Sequence, residues 1–380
     1  MQPTFVRATL FLALAAAPLG AQGACPSTPD NARASRELRG LVDSLLAANP
    51  DVPGIALAVL GPGGCVLFNE AGGVANRATR APLTPEHPHR IASNTKTYTA
   101  AAILRLMELG KLALDDPMTR HLPAASLASL RRDGYDVDHI TIRHLLNHTA
   151  GLYDYAMDPH LVAIVERDPT HRWTRAEEVD SAVAWGTAYN APGQGYHYSD
   201  TGYILLGEII ERLTGQPMAR AFRDLLHFDA LGLTSTWLET MEPPPPGVID
   251  RAHQYLGEGD TYGFDPSFDL YGGGGLAATP RDMARFTRAL FMGGVYRDRG
   301  TIDVMMTVPP GIQANRTYGA GLYRQPVRDD LAGWGHSGFW NTFSFHLPGR
   351  DVTVAASITQ QGRSPLARAL FLGSVARVVR

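Results

Sequence analysis

Lysine is almost missing from this chain. Of 34 Lys and Arg residues only Lys96 and Lys111 are lysines, and all the others are arginine. Arginine serves wherever positive charge alone is wanted, so a retained lysine is suspected of a task that needs a compact amine able to lose its proton. An excess of basic residues is missing too. The 34 cations face 37 Asp and Glu for a formal charge of -3, which leaves nothing to neutralise a phosphate backbone or coat an anionic membrane and excludes a dedicated nucleic-acid binder. Charged residues are scarce at 19%, while 44% of the chain is hydrophobic. That balance argues against disorder and against a charge-rich coiled coil. No stretch approaches the ~20 uninterrupted apolar residues of a membrane span, so stable membrane insertion is not expected. Cysteine is limited to Cys25 and Cys65, which allows one disulfide or two unpaired thiols.

What is present begins with an address label. Arg7 supplies a positive start, Ala8 to Ala17 form an apolar stretch, and Pro18 leads into small residues at Gly20, Ala21, Gly23 and Ala24. This pattern predicts a secretory signal peptide over residues 1–23, a mature chain of 24–380, and a secreted or periplasmic location. A lipid anchor on Cys25 is disfavoured, because Gln22 stands where an aliphatic residue is needed.

The remaining chain is long enough for a substantial core. Leu38, Leu41, Val42, Leu45 and Leu46 recur with helical spacing up to Asn49-Pro50. Ile55 to Leu60 and Cys65 to Glu70 flank Gly61-Pro62-Gly63-Gly64 as a strand hairpin does. Near the other end Phe343, Phe345 and Leu347 alternate, as do Val352, Val354, Ala356 and Ile358, before Ser364-Pro365 opens a last helix. The middle reads as mainly helical, with patterns at Ala176–Trp185, Ile204–Leu213 and Arg281–Leu290. Strands from both ends with helices inserted between them predict an α+β fold. An antiparallel sheet flanked by helices would be drawn from about 30–110 and 290–380, with an all-helical subdomain from about 115–289. A cleft between two such bodies is a natural active site.

Three elements carry chemistry. Ser93-Asn94-Thr95-Lys96 opens the helix through Ile103, Leu104 and Met107. Residues three apart share a helix face, so the Ser93 hydroxyl and the Lys96 amine can meet. Both sit at the positive end of the helix dipole, which favours a developing alkoxide and disfavours an extra proton on lysine. An isolated match of this kind is usually a serine cap followed by a solvated lysine. Here the scarcity of lysine shifts the balance, since Lys111 beside Gly110 is explained as a cation at a helix C-terminus. The second element, Tyr198-Ser199-Asp200, precedes the Ile204–Leu213 helix, and the third, His336-Ser337-Gly338, stands among Trp334, Phe339 and Trp340 where strand alternation begins.

In order and rough spacing these three elements resemble the signatures of the penicillin-recognising serine hydrolases, the serine β-lactamase and penicillin-binding-protein-like family. The resemblance is closest to the group of class C β-lactamases, D,D-carboxypeptidases, D-aminopeptidases and related esterases. Supporting phrases are Arg90 to Lys96, His144 to Leu152, Tyr198 to Tyr203, and Gly274-Gly275-Leu276 leading to Thr279-Pro280-Arg281-Asp282. The resemblance implies one catalytic domain, an acyl-enzyme on Ser93, and neither a metal nor an organic cofactor. By the same analogy Lys96 and Tyr198 share removal of the serine proton, and Tyr198 returns a proton to the leaving group. The backbone N–H groups of Ser93 and Phe339 form the oxyanion hole. His336 hydrogen-bonds near Tyr198, Ser337 meets a substrate carboxylate, and Gly338 lets substrate approach the strand edge. Asp200, Trp340 and loops around Tyr153 and Tyr155 complete substrate binding.

Two departures direct the substrate expectation. Asp200 stands where the family most often has Asn and has no amide to donate; ionised beside Lys96 it favours the protonated amine and shifts proton abstraction toward Tyr198. His336 replaces the lysine of efficient class C β-lactamases. Amide or ester hydrolysis of small molecules or short peptides of cell-wall origin, D-amino-acid peptides first, is therefore expected ahead of penicillin hydrolysis, with an esterase or weak β-lactamase as the alternative. A catalytically inactive peptide- or peptidoglycan-binding protein is the rival of another class. His144 and His148 have i,i+4 spacing on an expected helix, but Leu145 replaces the glutamate of a zinc-protease motif. No G-x-S-x-G elbow exists, and Gly272–Gly275 lacks the G-x-G-x-x-G of a nucleotide loop.

Overall fold

The computed structural model describes residues 23–310 and 317–379. The expected signal peptide, but for Gly23, lies outside the described residues. Helix α1 (Pro29–Ala48) starts where Thr28 caps the Asn31 N–H and Pro29 sets the first turn, and it buries Leu38, Leu41 and Val42. Strands β1 (Gly54–Leu60) and β2 (Val66–Gly73) form the expected hairpin. Cys25 and Cys65 are joined as a disulfide, which ties the start of the described chain to this hairpin. Helix α2 (Thr95–Glu108) is buried on every face from Thr95 to Leu106, as suits a helix enclosed in the core of a large protein.

The central segment contains helix α3 (Asp200–Thr214) and shorter helices, including Ile142–Leu146, Pro159–Arg167 and Arg175–Trp185. It also holds short antiparallel pairings not foreseen from sequence: Leu276–Ala278 with His89–Arg90 and with Trp237–Leu238, and Tyr255–Leu256 with Gly259–Asp260. Helix α4 (Pro280–Phe291) follows, its start capped by Thr279. Then come β3 (Tyr323–Arg328), β4 (Leu331–Gly338), β5 (Thr342–Leu347), β6 (Val352–Ile358) and α5 (Ser364–Val378).

The main sheet runs β2-β1-β6-β5-β4-β3 and is antiparallel throughout, so the expected mixed fold of helices and antiparallel sheet is the observed one. N- and C-terminal strands join through β1 and β6, with Ile55 opposite Ile358. Alternation along each strand sorts the side chains. Ile55, Leu57, Val59, Phe343, Phe345, Val354 and Ile358 share one apolar cluster with α1 and α5. On the other face a row of small residues, Ala58, Ala355 and Ser344, is aligned across three strands. There α4 packs against β1, β5 and β6, and Ser344 Oγ lies 2.7 Å from Thr287 Oγ1 of that helix.

His89 is fully buried, and neither ring nitrogen has a hydrogen-bond partner among the described residues. Burial, followed by the neighbouring His87 and Arg251, pushes its pKa down to about 3 from the ordinary 6.5. The unfolded chain thus takes up a proton between those values that the native chain refuses. Stability from the neutral ring is complete above the unfolded value and is lost as pH falls toward 3. Replacing the ring by a group that does not titrate, His89→Leu, is expected to make the fall in urea midpoint between pH 7 and pH 4 shallower; an unchanged slope contradicts this account.

Candidate active site

Ser93 lies in a short turn, Ala92–Asn94, between the His89–Arg90 strand and α2. Ala92 is held at φ +45°, a left-handed conformation that costs an L-residue roughly 1–2 kcal/mol. The surroundings hold it there. Asn94 Nδ2 donates to the Ile91 carbonyl at 3.0 Å and to Thr342 Oγ1 at 2.8 Å, and Thr342 Oγ1 donates to the same carbonyl at 3.0 Å. These bonds fasten the serine turn to the start of β5. A Cβ on Gly338 would stand 2.2 Å from the Ile91 carbonyl oxygen and 2.6 Å from Thr342 Oγ1. The space a side chain at this position would need is therefore taken by the serine turn, while Gly338 itself also borders the cavity, where its sequence position suggested that substrate approaches. Sequence reading passed over Asn94 and Thr342; the only local signal was Asn94 inside the Ser93–Lys96 phrase.

Lys96 is in the first turn of α2 and is fully buried. Its Nζ donates to Ser93 Oγ at 3.0 Å, to the Gly273 carbonyl at 2.8 Å, and to Asp200 Oδ1. Three acceptors satisfy the three N–H bonds of an ammonium group. The spacing argument for Ser93 and Lys96 thus holds, and the anticipated approach of Asp200 is present. A Cβ on Gly273 would fall 2.5 Å from Asp200 Oδ1, and one on Gly274 would fall 2.1 Å from Asp269 Oδ1. Glycine at both positions lets the backbone pass between two carboxylates and aim its carbonyl at the amine. That is the work of the glycine run, which was unexplained in the sequence.

Further carboxyls surround the pair. Asp154 Oδ1 accepts from the Asp200 N–H at 3.0 Å. Burial first, and then the charge of Asp200, pushes both Asp154 and Asp269 up to about 7. Glu178 behind them is buried and raised well above the ordinary carboxylate range, chiefly by desolvation.

Tyr198 joins this centre from the loop before α3, its ring 5.0 Å from Lys96 Nζ. Burial and the charge of Asp200 raise its phenol well above 10, against a hydrogen bond with Ser93 that pulls the other way. The tyrosine therefore rests as a neutral phenol. His336 on β4 behaves differently from expectation. Its Nδ1 donates to the Ser337 carbonyl at 2.6 Å, and its Nε2 faces the Tyr318 hydroxyl at 3.0 Å, while its ring stands 6.3 Å from that of Tyr198. Tyr318, which carried no sequence signal, is its partner. Burial and the charge of Lys96 hold His336 neutral, with a pKa of about 3. Ser337 Oγ accepts from the Tyr323 hydroxyl across the β3–β4 pair.

Ser93, Tyr198, Asp200, His336, Ser337, Gly338, Phe339 and Trp340 all line one cavity of about 1130 Å³. Trp340 is buried beneath the exposed Phe339, ring to ring at 4.9 Å. Tyr153 and Tyr155 do not line it. Tyr153 turns its hydroxyl to Asp158 at 2.6 Å, and Tyr155 is buried with its hydroxyl on the Phe268 carbonyl at 3.3 Å. Their neighbours Ala156 and Met157 form the wall, with Leu161, Val162 and Val165 of the helix Pro159–Arg167 and with Phe264 and Phe268 opposite. His144 and His148 do not share a helix face, because the helix ends at Leu146 and His148 has φ +60°. No cluster of three or more metal-ligating side chains exists among the described residues, and no helix there is long and apolar enough to cross a membrane.

Comparison with known proteins places this arrangement. A family model described as Beta-lactamase matches residues 41–376. A penicillin-binding protein of Bacillus subtilis is 27% identical over 303 residues, 74% of this chain, and the chain spans 62% of that protein's length. Esterase EstB of Burkholderia gladioli is 30% identical over 308 residues, covering 74% of this chain and 77% of the esterase. The crystal structure of D-amino acid amidase from Ochrobactrum anthropi SV3 complexed with D-phenylalanine superimposes with a TM-score of 0.75 at 25% identity, covering 91% of this chain and 98% of the amidase. The chain belongs to the Beta-lactamase family and is a serine hydrolase of that family.

Proposed function

We propose that this protein is a secreted hydrolase that forms an acyl-enzyme on Ser93 and cleaves amide or ester bonds, with D-amino-acid amides and short D-peptides as its preferred substrates. One observation carries the reading: Ser93 Oγ lies 3.0 Å from a fully buried lysine amine, beside a neutral phenol, at the edge of a large cavity.

Ser93 Oγ attacks the substrate carbonyl. The raised phenol of Tyr198 does not act as a standing tyrosinate, so it takes the serine proton as it passes its own to the leaving nitrogen, and the Lys96 charge steadies the phenolate character that develops between the two transfers. Oxyanion charge falls on the Ser93 and Phe339 N–H groups, each typically worth ~3 kcal/mol. Water then hydrolyses the acyl ester by the reverse route.

The cavity supports the substrate choice. Met157, Val162, Tyr189 and Phe339 are exposed apolar side chains at its wall and mouth, suited to a bulky apolar substituent. Asp154 and Asp269, raised to about 7, also line it, and a bound ammonium, as an amino-acid amide carries, favours their ionised forms. The related amidase and esterase act on bonds of these kinds by name. His336, neutral where β-lactamases carry a lysine, offers no cation to an acidic antibiotic. Secretion is supported by the leader pattern of residues 1–23 and by the Cys25–Cys65 disulfide, a bond that persists in oxidising compartments.

A fluorophosphonate probe is expected to add one covalent mass to the wild-type chain and none to Ser93→Ala, read by intact mass spectrometry; a folded wild type without an adduct points to a binding protein instead. Lys96→Ala and Tyr198→Phe are each expected to lower kcat on D-phenylalanine amide by ~10²–10⁴, and full kcat in the lysine variant shows that its charge does not assist the tyrosine's proton relay. Turnover of D-phenylalanine amide and D-Ala-D-Ala peptides is expected to exceed that of nitrocefin. The opposite ranking identifies a β-lactamase.

A further inference from the structure

His148 takes no part in the proposed chemistry, yet it touches the loop that supplies Tyr198 at two points. The N–H of His197 donates to the His148 carbonyl at 3.0 Å. The N–H of Ser199 donates to His148 Nδ1 at 3.1 Å. The residues on either side of Tyr198 are thus both bonded to one histidine, and between these bonds the His148 ring lies 4.2 Å from the Tyr198 ring at 33°. An Nδ1 that accepts a hydrogen bond must be unprotonated, which places the ring proton on Nε2. That atom is buried with no hydrogen-bond partner among the described residues. The rings of Tyr203 and Tyr318 stand 5.1 and 4.6 Å from the imidazole.

The backbone is equally particular. His148 has φ +60° just after the helix Ile142–Leu146 ends. Histidine and asparagine enter this left-handed region more readily than most residues. In that conformation the residue presents both its carbonyl and its ring to the 197–199 strand of chain. Burial first, and then the Lys96 charge and the neighbouring His336 ring, pushes the imidazole well below its ordinary value, so the acceptor nitrogen stays available at neutral pH.

We propose that His148 is a positioning residue for the Tyr198 phenol: its carbonyl and Nδ1 clamp the N–H groups of His197 and Ser199, and so fix where the phenol stands relative to Ser93. This inference rests on the acyl-enzyme reading and deepens it. A mispositioned phenol harms most the step that needs its proton. Departure of an amide nitrogen requires that proton, whereas p-nitrophenolate leaves without it.

The test compares His148→Asn with His148→Phe. Asn tolerates the left-handed backbone and places an oxygen acceptor at the position of Nδ1, while Phe keeps a ring and removes the acceptor. His148→Phe is expected to lower kcat on D-phenylalanine amide by ~10–100-fold with KM within about twofold, and to lower kcat on p-nitrophenyl acetate much less. His148→Asn should retain amide turnover within about threefold, because it keeps the hydrogen bond. Adding His148→Phe to Tyr198→Phe should cost nothing further, since a clamp without its phenol has no catalytic effect. Equal losses in the Asn and Phe variants, equal effects on amide and nitrophenyl ester, or additive losses in the double variant each overturn the proposal. Thermal melts establish that the variants are folded. If His148→Phe does not fold, His148→Gln takes its place, with the acceptor moved one bond outward and the same loss expected. A wild type that forms no Ser93 adduct with the fluorophosphonate defeats the acyl-enzyme reading; labelling and amide turnover at the wild-type rate in His148→Phe defeats only the clamp.

Discussion

A buried ammonium group is the constraint to which the centre of this molecule conforms. Moving an unpaired charge out of water costs several kcal/mol or more. Lys96 meets that cost with three acceptors drawn from different parts of the chain: the Ser93 hydroxyl one helical turn away, the Asp200 carboxylate and the Gly273 carbonyl. Each acceptor sets a demand on its own element. Asp200 must stand at the first turn of α3, and its N–H is held there by Asp154. Gly273 must be glycine, and so must Gly274, because a Cβ at either position meets a carboxylate. The serine is thereby held against the amine.

The same demand explains the ring of carboxyls. One cation balances one carboxylate, and the next nearest, Asp154 and Asp269, are pushed toward neutrality by burial and by the charge of Asp200. Asp200 is therefore the partner of the lysine more than a contact for substrate, a shift from its expected part in substrate binding, although it still lines the cavity. The phenol of Tyr198, raised by burial and then by the same charge, remains protonated. Carboxylate, lysine and phenol thus form one electrostatic unit, in which the tyrosine is better suited to relaying a proton than to removing one unaided.

Support for this unit comes from the sheet and from the helices alike. Asn94, Thr342 and Gly338 bind the serine turn to the sheet, while α3 and the loop before it bring Tyr198 and Asp200 from the helical side. Arg90 shows what the many arginines contribute at such a junction. Its buried guanidinium donates to Glu239 at 2.8 Å and to the Phe264 carbonyl at 2.6 Å, which fixes the approach to Ser93 and places a cavity wall. Planar, multidentate recognition of this kind suits arginine, and a compact titratable amine suits lysine. The near absence of lysine was therefore an informative feature of the composition.

Much of the architecture could be read from spacing. Alternation along β5 and β6, the glycine-rich hairpin, and the helical spacing in α1 and α4 are local patterns that tertiary contacts reinforce. Ser93 and Lys96 were legible for the same reason, since three residues along a helix fix a distance regardless of the rest of the chain. Packing alone decided the partners that arrive from afar. His336, expected to hydrogen-bond near Tyr198, takes Tyr318 as its partner, Ser337 is met by Tyr323, and Gly338 makes room for the serine turn. His148, read as half of a rejected metal pair, is bonded to the loop that holds Tyr198. Sequence determined which groups occupy fixed steps along one helix or strand, because covalent geometry and backbone hydrogen bonds set those distances. Tertiary structure decided which groups from separate segments share a hydrogen bond, because that depends on how two bodies bury their apolar faces and bring the loops between them together.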